Sequence, residues 1–519
     1  MDLIPGGMHP RSSARSIGAA ALMLTMVAVT ARYATFGNPV LGFDEQFYLL
    51  VGDRMLHGAI PYVDIFDRKP IGLFIIFAAI RAIGGDGFLA YKLVALGFVV
   101  ATSTFIFSLS RRLAGGFAAL VAASLYIAWL NFMEGEGGQS PVFYNVAMIA
   151  AAVTTLAAIE RPGAVRSRGA LAMLIVGLAL QIKYSVVFEG MYFGVALVWA
   201  SWRNGERGLR SVGSIALWVG CALLPTALAL LAYTAAGQFD AFWFCNFVSV
   251  LAQRHRDAIV QIVGLSVILG ILSPLILTLA TAPIGRVDTK LRLERRFVQG
   301  WLGASILGVL LFGRFASPHY AMPILVPLTV LLAPAFDGTR ARRIAGVALC
   351  AAALILGQVV LALTVRSKGG LSAARAVAAA AHVSGGCLYV YDGYPALYML
   401  TRSCLPTRWA FPGSLNSADE ANPRALGIDP AQEVARIMAS RPDAVVDDYP
   451  RFDQGNLATR AVLARALATD YFLSDCIASG LHRTRLVYRR NTEGRRQPTG
   501  TCPDAASLAL PTVAAPSAP

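Results

Sequence analysis

The chain alternates long apolar stretches with short polar ones, and the pattern changes character once, near residue 366. Stretches long enough to span a bilayer occur near 16–34, 89–109, 113–131, 141–159, 169–183, 185–201, 211–236, 259–282, 299–313, 321–336 and 344–366. A twelfth, 70–84, is shorter, begins at Pro70 and carries Arg81. Beyond 366, periodic segments near 371–383 and 429–441 predict helices. CLYVY (387–391), DAVVDD (443–448) and RTRLVYRR (483–490) predict strands. Residues 491–519, rich in Pro, Ala, Ser and Thr, read as a disordered tail. The expected architecture is an all-α polytopic membrane domain over 1–366, followed by a small α/β domain of mixed sheet over 367–490. No internal repeat is visible.

Composition agrees: hydrophobic residues make up 56% and charged residues 14% of the 519, with a mean hydropathy of +0.58. That balance excludes a cytosolic enzyme and a disordered chain. The net charge of +15 raises the question of a nucleic-acid partner. The basic residues, however, lie in short runs between apolar stretches, as positive-inside anchoring requires, and no nucleic-acid motif accompanies them. The runs are Arg11 and Arg15; Arg111 and Arg112; Arg161, Arg166 and Arg168; Arg203, Arg207 and Arg210; Arg286 to Arg296; and Arg340 to Arg343. All fall on one side only if 70–84 does not cross. It then reads as an interfacial or re-entrant helix, leaving about eleven transmembrane helices, a cytoplasmic N-terminus and an outer tail. The first span has no small-residue cleavage site after it and reads as retained. Arginine-heavy, alanine-rich usage points to a bacterial inner membrane and a periplasmic tail domain.

This topology gathers the remaining polar segments on the outer face. The first loop, GFDEQFYLLVGDRMLHGAIPYVDIFDRKPIGLF (42–74), carries Asp44, Glu45, Asp53, Asp64 and Asp67 in an otherwise basic chain. Asp44-Glu45 would open an amphipathic helix on the membrane surface. One reading makes Asp44 a helix cap; the other makes the pair a general base or metal ligand acting on an acceptor hydroxyl. Lys69, before Pro70, either snorkels to the headgroups or meets a lipid phosphate. Lys183 is one of only five lysines among 45 basic residues. It sits in a turn too short to solvate it freely, with Glu189 as a prospective partner. QRHRD (253–257) brings Arg254 and Arg256, GRFASPHYAMP (313–323) brings Arg314 and His319, and EGEGGQSP (134–141) brings Glu134 and Glu136. Singly each is a solvated loop or belt residue; together they form a rim of acids and cations suited to a lipid-phosphate substrate. The seven cysteines have no metal-ligand or CxxC spacing. Cys387 with Cys404, and Cys476 with Cys502, would share an oxidising side where a disulfide is permitted, independent buried thiols being the alternative.

These blocks resemble the membrane glycosyltransferases of the C superfamily, family 39 branch, which includes protein O-mannosyltransferases and lipid A aminoarabinose transferases. The matching segments are 43–74, SLSRRLAGGFAAL (108–120), GLALQIKYSVV (177–187) and GRFASPHYAMPILVPL (313–328), in the family's order. The resemblance implies transfer of a sugar from a polyprenyl-phosphate donor to a lipid, glycan or protein acceptor on the outer face, usually with inversion. It implies Asp44 as general base with Glu45 beside it, Lys69 and Lys183 at the donor phosphate, and Arg314 and His319 in a late periplasmic motif. Asp67, Glu136, Arg254 and Arg256 are secondary candidates. The third block departs: where relatives often carry an acid near the fourth span, GGQSPVFYN has Pro141 and Asn145. Either Glu136 takes that role or it is absent, which leaves any divalent-metal requirement open; no other cofactor is implied. A transporter or flippase of lipid-linked sugars is the alternative, and it would want polar groups deep in the spans rather than at one rim.

Overall fold

The computed structural model describes residues 10–253, 257–282, 289–383, 385–491 and 497–504. The chain forms two compact units. The first comprises Met1–Phe36, Lys69–Gly237 and Arg256–Leu361; the second comprises Gly37–Arg68, Gln238–His255 and Ala362–Pro519. The last segment of the second unit thus starts close to the composition change at 366, and the unit also includes the 37–68 loop and the 238–255 segment.

The first unit is helical. Among the described residues nine helices of the chain are long and apolar enough to cross a membrane, among them Gly87–Ser110, Ser140–Glu160, Leu209–Ala235 and Pro318–Phe336. Two further stretches read as spans correspond to the shorter helix Gly116–Phe132 and to Thr289–Phe312. Pro318–Phe336 is 89% buried and forms the centre of the bundle, whereas Leu209–Ala235 is 11% buried. The latter exposes Leu217, Leu223, Leu224, Leu228 and Leu231, a contiguous apolar face that water would not tolerate and lipid would. Ile71–Ala82 is 12 residues long, so it rises only about 18 Å against a hydrocarbon core of about 30 Å.

Gly72 fixes where that short helix starts. A Cβ on Gly72 would lie 2.6 Å from Gln181 Cβ and 2.7 Å from the Gln181 carbonyl oxygen, so only glycine permits the approach. The Leu73 N–H then donates to the Gln181 carbonyl at 3.1 Å. The chain leaving Lys69 is thereby pinned to the turn that carries Lys183.

The second unit holds a four-stranded sheet: β1 Leu388–Val390, β2 Ala444–Tyr449, β3 Tyr471–Gly480 and β4 Arg483–Arg490. Its order is β1-β2-β4-β3, with β1 parallel to β2 and the other pairs antiparallel, so the sheet is mixed. β3 and the helix Leu457–Asp470 were not anticipated: Ser474 and Asp475 interrupt the apolar pattern of YFLSDCIASG, and its pairing with β4 comes from a hairpin whose His482 takes φ +58°. Cys387–Cys404 and Cys476–Cys502 are both disulfide-bonded. Of the stretch read as a disordered tail, residues 497–504 are described: Thr499 bridges to Asp475 in β3 and Cys502 bonds to Cys476. Before QRHRD, between two of the expected spans, lies an apolar helical segment, Phe239–Ala252. Two of its aromatic side chains pack inside the second unit, Phe242 against Tyr62 and Phe244 against Phe66.

Candidate active site

The Asp44-Glu45 pair lies in the first turn of the helix Phe43–Leu56. The cap residue is Gly42, with φ +82°; a Cβ there would fall 1.4 Å from Glu45 Oε2, so Gly42 is required twice over. Asp44 is therefore not the cap. Its Oδ2 accepts the Tyr48 hydroxyl at 3.2 Å. Glu45 is 1% exposed, whereas Asp44 is only partly covered. The helix does not present one wet face: Glu45 through Gly52 are all buried. Within the second unit Phe43 and Phe47 pack edge-on against Phe411, and Gln46 links the Val40 carbonyl to the Ala396 N–H.

The end of the same loop contains a site the sequence reading did not separate from its neighbours. The Arg68 guanidinium makes a fork with the Glu420 carboxylate at 2.8 and 2.7 Å. It also donates to Ser249 Oγ at 2.6 Å and to the Ala425 carbonyl at 3.1 Å. Gln253 donates to the same carboxylate at 2.5 Å. Arg68 is thus the node joining the first loop, the 238–255 segment and the 418–426 turns of the second unit. Asp67 accepts the Arg68 backbone N–H at 2.5 Å.

In the first unit, Lys69 precedes Pro70, which caps the helix Ile71–Ala82 (φ −60°, ψ 150°) rather than lying within it. Lys183 is extended, with φ −158° and ψ 130°, and only 6% exposed. Its ammonium stands 4.1 Å from the centre of the Tyr320 ring, the geometry of a cation–π contact. His319 adjoins the same ring, 4.4 Å between centres, and its Nδ1 lies 2.7 Å from Glu134 Oε2. Phe312 packs on the Tyr320 ring at 5.4 Å, and the Arg314 guanidinium lies 5.8 Å from the Phe312 ring. The Arg314 loop is held by the Phe315 N–H, which donates to Gln261 at 2.9 Å. Lys183 and, over 130 residues later, Arg314 and His319 therefore surround one pair of aromatic rings. The Lys69 segment joins them through the Leu73–Gln181 bond.

Glu189 is not placed as a partner of Lys183. Its Oε1 accepts the indole N–H of Trp301 at 2.6 Å and the hydroxyl of Ser305 at 3.2 Å, both on the helix Thr289–Phe312. A narrow cleft with room for about one water molecule is lined by Glu189 and Ser305 together with Ser185, Phe188, Phe312 and Tyr320. Sequence reasoning missed this cleft and its Tyr320 wall. Glu136 is buried, two residues after Glu134, whose φ is +55°. Asp44, Glu45 and Asp67 belong to the second unit; Arg254 and Arg256 lie outside the described residues. Among the described residues no group of three His, Cys, Asp or Glu side chains could hold a metal ion.

No model of a known protein family matches the sequence, and no curated protein does. Solved structures do match the fold. ArnT from Cupriavidus metallidurans, bound to undecaprenyl phosphate, superposes with a TM-score of 0.61 at 14% identity over 92% of this chain and 98% of that one. The apo oligosaccharyltransferase of Archaeoglobus fulgidus gives 0.50 at 11% identity over 89% and 74%. The arabinofuranosyltransferase AftD from Mycobacteria gives 0.47 at 14% identity, over 92% of this chain and 40% of that one. This chain shares its fold with ArnT.

Proposed function

We propose that this protein is an integral-membrane glycosyltransferase that moves a sugar from a polyprenyl-phosphate donor to an acceptor on the periplasmic face of a bacterial inner membrane. The observation that carries the reading is the cluster of Lys183, His319 and Arg314 around Tyr320 and Phe312, in a fold shared with a protein solved with undecaprenyl phosphate. Support for the orientation comes from the basic runs of the sequence and from the two disulfides of the second unit, which belong in an oxidising compartment.

In this reading the acceptor hydroxyl or amine loses its proton to Asp44 as its lone pair attacks the anomeric carbon. The bond from that carbon to the phosphate oxygen breaks, its electron pair stays on the phosphate, and the configuration inverts. Lys69, Lys183 and Arg314 stabilise the charge that develops on the leaving phosphate, most effectively where water is excluded. His319 adds a donor once Glu134 orients its ring. Glu45 and Asp67 hold the shape of the loop; Glu136 is the candidate for an added acid or metal ligand.

The test is a deletion strain examined by mass spectrometry of its envelope lipids, glycans and polyprenyl-phosphate sugars. The expected result is one glycoconjugate lacking a sugar, with the corresponding lipid-linked donor accumulating on the outer leaflet. Donor trapped on the cytoplasmic side would make the protein a flippase, and unchanged products would end the transferase reading.

A further inference from the structure

The helix expected on the membrane surface at Asp44 is buried from Glu45 through Gly52. A two-faced helix is found instead at Phe239–Ala252. Phe242, Cys245, Asn246 and Ser249 form its buried face. Ser249 belongs to the Arg68 node, and the Asn422 amide donates to the Ala252 carbonyl at 2.8 Å. The other face carries Phe239, Trp243, Phe247 and Leu251, each four positions after the last. Phe239 stacks on Trp243 at 5.9 Å between ring centres, and Trp243 packs on Phe247 at 4.5 Å. Such a row drifts around a regular α-helix by about 40° per step, and the π turn Phe244–Val248 takes part of that drift back. Trp243 is 44% exposed and Leu251 87%, so the row stands out as an apolar ridge.

What the ridge meets follows from its size and from its place in the chain. Three partly exposed rings and one leucine offer on the order of 400 Å², about half of what one partner gives to a stable protein interface. Insertion into lipid sets no such threshold. Only residues 236–238 separate the ridge from the membrane-capable helix Leu209–Ala235, so chain length alone keeps Phe239 within about 14 Å of Ala235. The chain thus passes from a leucine face suited to hydrocarbon directly to the ridge. Trp243 is of the residue type that collects where hydrocarbon meets headgroups. We propose that the Phe239–Leu251 ridge inserts into one leaflet of the membrane at its headgroup boundary and anchors the second unit to the bilayer surface. Because the buried face of the same helix holds Arg68, the anchor also sets the height of the first loop and of Asp44. The inference does not depend on the identity of the donor.

The test uses full-length protein, one copy per nanodisc, in lipids brominated near either the headgroup end or the methyl end of the acyl chain. Bromine quenches tryptophan emission on contact. The signal of Trp243 is the wild-type emission minus that of Trp243→Phe, which keeps the ridge apolar and cancels every other tryptophan. An interfacial helix sinks its apolar face only about 5–10 Å, so headgroup-end bromine should quench Trp243 at least about twofold more than methyl-end bromine. Acrylamide in the water should quench it less than either. Quenching by acrylamide above that by both lipids would put the ridge in water and overturn the proposal. Stronger quenching by methyl-end bromine would overturn the boundary placement. No quenching by any of the three would mean that protein covers the ridge, which also contradicts the proposal. Should Trp243→Phe not insert, Leu251→Trp carries the reporter instead, and its added emission is read against the same outcomes.

Discussion

Arg68 and Lys183 carry the same signature in the sequence, a cation where the chain meets an apolar stretch, and they end in opposite surroundings. Arg68 is locked by a carboxylate fork, a hydroxyl and a carbonyl, all within the second unit. Lys183 stands on an aromatic face in the first. A bidentate carboxylate neutralises a guanidinium and fixes it in one geometry. A ring face attracts an ammonium through its quadrupole and carries no formal charge of its own. The first arrangement builds structure, and the second suits binding.

That contrast is open to direct attack. The largest effect should come from the acid that the reading makes chemical. Asp44→Asn should lower transfer by about 10²–10⁴-fold, with thermal stability close to wild type because the amide keeps an oxygen that can accept the Tyr48 hydroxyl. Lys183→Met should cost about 10²–10³-fold in rate, again with little loss of stability. An unfolded Lys183→Met protein would erase the distinction drawn here.

Arg68→Ala should do the reverse. It takes the guanidinium from Glu420, which is buried beside the half-buried Arg68, and should destabilise the second unit by about 3 kcal/mol, measured by hydrogen exchange in the full-length protein. The double change Arg68→Met with Glu420→Leu should recover part of that loss, since it leaves no charge unmet. A double variant no better than the single would mean that the Ser249 and Ala425 bonds carry the effect. Reducing the Cys387–Cys404 disulfide, which spans 17 residues, should remove about 3 kcal/mol from the same unit, read the same way.

The smallest effect is one of pH. Burial pushes Asp448 up to about 7 despite Arg485 and Arg483 beside it, and pushes Asp392 up to about 6, with the Asp447 charge adding to the rise. Folded-state values above the unfolded ones mean that the folded form holds these protons more tightly. Stability from these groups is therefore fully present below about pH 4 and is lost as pH rises through 6 and 7. Exchange protection of β2 and β4 should fall between pH 5 and 8 and level off above. Protection that rose over that window would reverse the sign.

The bundle was legible because apolar runs of about 20 residues have few alternatives in a bilayer, and Lys183 stood out because lysine is scarce in this chain. The Arg68 node was not legible: Glu420 lies 352 positions away, and nothing local distinguishes a fork-bound arginine from a phosphate-binding one. The role of Tyr320 was not legible because Lys183 and Phe312 are brought against its ring only by packing. Glu189 invited pairing with Lys183 six residues earlier, yet the helix Val187–Arg203 turns its carboxylate to Trp301 on a helix more than a hundred residues away. The Phe239–Ala252 helix escaped notice because 14 residues are too few to register as a span.

The most direct test of the central claim is complementation of the deletion strain with Asp44→Asn, expressed and inserted at the wild-type level, followed by mass spectrometry of envelope glycoconjugates and lipid-linked sugars. The account predicts that the missing sugar stays missing and that its polyprenyl-phosphate donor continues to accumulate. Restoration of the product to the wild-type amount would contradict it, because transfer would then proceed without the carboxylate assigned to take the acceptor's proton.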